Sequence, residues 1–204
     1  MQKIAKILTL VAIFGASSVY ATENKLYVGL SFGSVDVDSK ITKTAGSISL
    51  DDSDSGFKLY GGYKLSENVA IEGSYGDLGN FSLTGIQGET FTLDGEQLAF
   101  LADGTSVIDS TSLGVAGVFS LPVSHRLSPY VKLGLHRWEM QGNDHLRAFP
   151  GLGNESGTDM MYALGISLSF IDNLQLRGEY ERIEVDSTYA NHIDYASVGL
   201  SYSF

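Results

Sequence analysis

The chain is a succession of segments about ten residues long in which apolar and polar positions alternate with a period of two. The clearest is the last: Ala196, Val198, Leu200, Tyr202 and Phe204 fall on one face, and Ser197, Gly199, Ser201 and Ser203 on the other. Successive strand side chains point to opposite sides, so this is a strand with one large apolar face and one small polar face. Similar segments occur at Lys25–Val35, Gly56–Leu65, Val69–Leu78, Ser110–Leu121, Pro129–Met140, Asp159–Phe170, Leu174–Val185 and, ending the chain, His192–Phe204. The pattern predicts an all-β protein, an eight-stranded antiparallel up-and-down transmembrane β-barrel. Connections alternate between tight turns (residues 66–68, 122–128 and 171–173) and longer polar loops (36–55, 79–109, 141–158 and 186–191).

A soluble barrel also alternates, so residue size decides between water and lipid outside. Tyr27, Gly29, Ser31 and Gly33, then Ser112, Gly114 and Ala116, then Ala163, Gly165, Ser167 and Ser169 make one face mostly small. Eight strands enclose an interior only just wide enough for side chains, so this face belongs inside. Leu26, Val28, Leu30 and Phe32, or Leu164, Ile166, Leu168 and Phe170, would be insoluble facing water. Facing lipid they are required, with Tyr63, Phe170, Tyr202 and Phe204 near strand ends as an interfacial girdle.

Composition adds an export route. Lys3 and Lys6, the apolar run from Ile7 to Ala16 and Val19-Tyr20-Ala21 read as a signal peptide over residues 1–21, leaving a barrel domain over 22–204. The formal charge is −11, and loss of Lys3 and Lys6 with the signal makes it −13. Such a charge argues against nucleic-acid binding and leaves cations or basic partners open. The chain has no Cys, which removes disulfides, thiol nucleophiles and thiolate metal sites.

By parity Lys58, Lys64, Glu72, Lys132, His136, Arg177, Glu179 and Glu181 all point into the lumen. Charges of both signs in so narrow a space must pair. They form either a structural ion-pair network that plugs the barrel or the constriction of a narrow gated pore. Trp138 also points inward unless a bulge turns it out. The histidines lack a serine partner on a strand near a rim, so no catalytic residue is assigned. The run Asp51-Asp52-Ser53-Asp54-Ser55-Gly56 lacks the glutamate a calcium-hand loop needs, and reads as a solvated acidic loop. No cofactor or metal ligand is assigned.

Val69-Ala70-Ile71-Glu72-Gly73-Ser74-Tyr75 with Leu78-Gly79, Tyr130-Val131-Lys132-Leu133-Gly134 with Trp138, Arg177-Gly178-Glu179-Tyr180 and Ser197 to Phe204 resemble strands three, five, seven and eight of the OmpA-like transmembrane domain. Gly61-Gly62-Tyr63 resembles its second strand. The resemblance implies an outer-membrane barrel with periplasmic termini and extracellular loops, serving as surface ligand, receptor, scaffold or small pore. Its implied partners are outer-membrane lipid and lipopolysaccharide, the barrel assembly machinery and an extracellular ligand or host surface, and a monomer is expected. Ser197, Gly199, Tyr202 and Phe204 match the assembly signal at the carboxy terminus. Glu72 and Arg177 match a lumen acid–base pair, whereas the family's competing lysine and second glutamate align with Val118 and Ser167. Ending at Phe204, the chain resembles the short Ail-, OmpX- and opacity-like members, without a periplasmic domain.

Overall fold

The computed structural model describes residues 25–43, 47–143 and 153–204. The signal segment and His145 lie outside them. Among the described residues twelve strands follow in order: β1 (Leu26–Ser39), β2 (Ile41–Lys43), β3 (Ser49–Asp51), β4 (Ser53–Lys64), β5 (Val69–Gly85), β6 (Thr90–Leu93), β7 (Glu96–Ala99), β8 (Gly104–Ser120), β9 (Leu127–Asn143), β10 (Asn154–Ile171), β11 (Leu174–Glu184) and β12 (Ala190–Ser203). Eight of these, β1, β4, β5 and β8 to β12, pair antiparallel in ring order, and β12 closes the barrel on β1. The eight-strand count and up-and-down order are those of the alternation in the sequence.

The strands run further than the alternation suggested. β5 and β8 remain paired out to Gly85 and Gly104, well into the stretch read as a loop. The alternation fails there because the register of β5 shifts between Asp77 and Asn80. Gly79 sits at the shift with φ +70°, open to glycine at no steric cost, and the Asp54 carboxylate accepts the Asn80 N–H at 2.9 Å. A bulge exchanges the faces of a strand, so Phe81 and Leu83 turn inward. The expected loops also contain β3, which pairs with β5, and a small sheet of β2, β6 and β7.

On the outer wall Phe32, Leu113, Leu121, Leu164, Phe170 and Val198 are 57–66% exposed, part of a continuous apolar belt. From Phe170 to Met160 β10 advances roughly 34 Å, and a tilt of about 40° makes that about 26 Å of height, close to the ~25 Å of a lipid-facing band. Tyr202 packs edge-on against Phe204 at 5.0 Å at the turn end. At the opposite margin charge appears: Arg182 donates to both Asp194 oxygens at 2.7 and 2.8 Å, and Tyr162 Oη donates to Glu184 at 2.9 Å. Among the described residues no helix is long and apolar enough to cross a membrane; the strands form the belt.

Candidate functional site

The lumen gathers most of the ionisable side chains the parity argument sent inward. Lys58 comes from β4, Glu72 from β5, Lys132 from β9, and Arg177, Glu179 and Glu181 from alternate positions of β11. Three cations therefore meet three carboxylates. Lys132 is the hub, with its Nζ 3.0 Å from Glu72 and 3.1 Å from both Glu179 and Glu181. Lys58 pairs with Glu181 and lies 4.0 Å from Glu179. Arg177 holds Glu72 at 2.7 Å and Glu179 at 3.0 Å. Burying any of these charges alone would cost several kcal/mol, so the compensation must come from within the cluster.

Tyrosines brace the cluster. The Arg177 guanidinium lies between two rings, 4.4 Å from the centroid of Tyr60 and 4.7 Å from that of Tyr130. Tyr130 Oη donates to Glu179 at 2.8 Å and accepts from Arg177 Nε at 3.1 Å, while Tyr27 Oη donates to Glu72 at 2.9 Å. Each ring has space because the residue directly across the ladder is glycine: Tyr60 faces Gly29, Tyr27 faces Gly62 and Tyr130 faces Gly165. A Cβ on any of the three glycines would overlap the ring. Trp138 lies on Gly157 in the same way, and its indole N–H donates to Asp159 at 2.6 Å. β9 pairs without a register shift, so Trp138 stays inward.

Lys64 does not join this network. Its Nζ reaches Ser203 Oγ at 3.4 Å, near the turn end, and among the described residues no carboxylate lies within ion-pair distance of it. His136 is buried above the cluster, with Nδ1 3.1 Å from Ser112 Oγ and Nε2 2.8 Å from the Glu184 carbonyl. Within the acidic stretch the Asp54 carboxylate is spent on backbone, accepting from the N–H groups of Ser55 and Asn80. Val118 and Ser167 line the space beneath Arg177. Around Glu72 and Arg177 a second cation and a second carboxylate come from β9 and β11, as Lys132 and Glu179.

A second layer was not visible in the alternation. Towards the loop end the lumen fills with an apolar core built from Val35, Leu78, Phe81, Phe91, Phe100, Met140 and their neighbours. Phe91 meets Phe100 edge-on at 5.4 Å. The connection between β11 and β12 folds inward over this core, leaving Tyr189 2% exposed. Its Oη donates to the Gly153 carbonyl at 3.2 Å, and burial pushes the phenol pKa above its ordinary value. The signal lay in Val35, Val37, Phe81 and Leu83, but Val35 is the last residue of the expected first strand, Val37 sits past its end, and the other two lie past the bulge.

A closed ring of eight strands, belted with apolar side chains and filled inside, defines an integral β-barrel of the outer membrane. The model of the outer membrane protein beta-barrel domain matches residues 7–204, and the chain belongs to that family. Three solved structures show the same fold. The N-terminal β-barrel domain of Pseudomonas aeruginosa OprF is 12% identical, with a TM-score of 0.54 over 88% of this chain and 98% of that one. Neisserial surface protein A is 15% identical, with a TM-score of 0.53 over 88% and 97%. Ail of Yersinia pestis, solved with the heparin analogue sucrose octasulfate, is 17% identical, with a TM-score of 0.51 over 88% and 99%. Among curated protein sequences none matches the chain. The protein is thus a small OmpA-like barrel that sits in the outer membrane among its lipids.

Proposed function

We propose that this is a non-enzymatic surface-interaction and structural barrel whose lumen is sealed. Residues 1–21 direct export, residues 22–204 form the barrel, and the assembly machinery reads Ser197, Gly199, Tyr202 and Phe204 in the last strand. The termini then face the periplasm and the loops face the medium as a monomer's display surface, where lipopolysaccharide, host surfaces or other extracellular ligands are met. The observation that carries the reading is the double closure of the lumen, with a charge-balanced cluster centred on Lys132 and an apolar core stacked on it.

The loop-end surface narrows the partner class. Asp36, Asp38, Asp51, Asp52, Glu89 and Asp94 give it an acidic character that opposes a sulfated sugar and favours a basic partner. The second reading is a narrow diffusion pore. Lys132 favours it, because one cation within reach of three carboxylates can exchange partners. Single-channel recording of the protein in a planar bilayer, beside Arg177→Ala, separates the two. A closed barrel gives a silent wild type and a variant of lowered stability. Discrete openings in the wild type, altered by the substitution, would replace the sealed reading with the pore.

A further inference from the structure

Beneath the ion-pair cluster lies a cavity of about 60 Å³ at the turn end of the lumen. Arg177, Tyr27 and Tyr130 border it on the cluster side, and Lys64, Gln175 and Ser120 are among its walls. We propose that it binds a small, singly charged oxyanion of the carboxylate type.

Charge is the first ground. No carboxylate belongs to the lining, and the cluster above is neutral, with its three cations matched by three glutamates. Among the described residues Lys64 is therefore the uncompensated charge of this compartment. Its Nζ has a hydroxyl at 3.4 Å as its protein contact, beyond the 2.7–2.9 Å of a good charge-assisted hydrogen bond. Lys58 and Lys132, in the same lumen, are both held directly by glutamates. Within an acidic protein this is a local reversal of sign.

The donors are the second ground. Gln175 Nε2 reaches Ser169 Oγ only at 3.4 Å, and the Ser120 hydroxyl on the facing wall can turn to donate. An ammonium, an amide and a hydroxyl around one space suit an acceptor-only guest. Size is the third. A single water needs about 10–15 Å³ of such space, so about 60 Å³ leaves room for a small guest of a few heavy atoms.

The test is a titration of the folded protein in lipid nanodiscs with sodium formate, exchanged against sodium gluconate at constant ionic strength and followed by amide chemical shifts. Saturable shifts confined to the turn end, around Lys64, Ser120 and Gln175, are expected. Lys64→Gln should weaken them by about tenfold or more, since it removes the charged donor, and Lys64→Arg should keep them. Gln175→Leu, which leaves every charge in place, should weaken them by a smaller factor. A wild type without saturable shifts, or an equal response in Lys64→Gln with its loop-end spectrum unchanged, overturns the site. Conduction through the lumen would leave this result standing, so the two readings fail separately.

Discussion

The two halves of the lumen fill the same kind of cylinder by opposite chemistry. Near the middle of the membrane belt, inward positions carry Lys58, Glu72, Lys132, Arg177, Glu179 and Glu181. Towards the loops they carry Val35, Leu78, Phe81, Met140 and Ile183. The polar half depends on partners from four strands arriving in register. The apolar half tolerates rearrangement, because burial is non-directional and roughly proportional to area. Removing one member should therefore be felt globally in the first half and locally in the second.

Lys132→Met should have the largest effect. It leaves three glutamates facing two cations, and breaking a buried ion set in this way costs about 3–5 kcal/mol. Urea unfolding in lipid vesicles should show the loss, and adding Glu181→Gln should recover part of it. A midpoint like the wild type's would remove the distinction between the halves. Phe91→Ala comes next, at about 3 kcal/mol, the lower end for an aromatic truncated in a core. Its cost should stay local: the loops gain protease sensitivity while the barrel keeps its unfolding midpoint.

Gly165→Ala adds a methyl where the Tyr130 ring lies and should cost about 1–3 kcal/mol, the usual penalty for overpacking. Tyr130→Ala in the same chain should relieve the strain but free one side of Arg177. A stability difference between Gly165→Ala and Gly165→Ala/Tyr130→Ala would measure the joint itself. Arg182→Gln sits outside both halves, on the exposed wall. Its pairing with Asp194 is screened by solvent there, so no measurable shift in the midpoint is expected.

Much of this architecture was legible in the sequence because a barrel strand carries its orientation in every second residue. Lys58, Glu72, Lys132, Arg177, Glu179 and Glu181 could be sent inward from parity alone. Which carboxylate each cation meets could not, since Lys132 reaches Glu181 over Ala163 of the intervening β10, and Arg177 on β11 meets Glu72 on β5 only once the ring has closed. The alternation was silent for a different reason beyond Leu78. The Gly79 bulge exchanges the faces of β5, so Phe81 and Leu83 read as the wrong side of a strand already taken to be over. Lys64 shows the opposite limit: parity placed it inside the lumen, but not below the cluster, where it stands apart.

The tyrosine–glycine pairs also act as a gauge on the cylinder. Gly29 with Tyr60, Gly62 with Tyr27 and Gly165 with Tyr130 sit opposite one another only at one stagger of the strands. For a fixed number of strands, stagger sets tilt and diameter. Sliding β1 past β4 by two residues would keep every apolar side chain facing lipid, yet would set rings against side chains instead of glycines. The lipid face accepts several circumferences, and the rings inside choose among them.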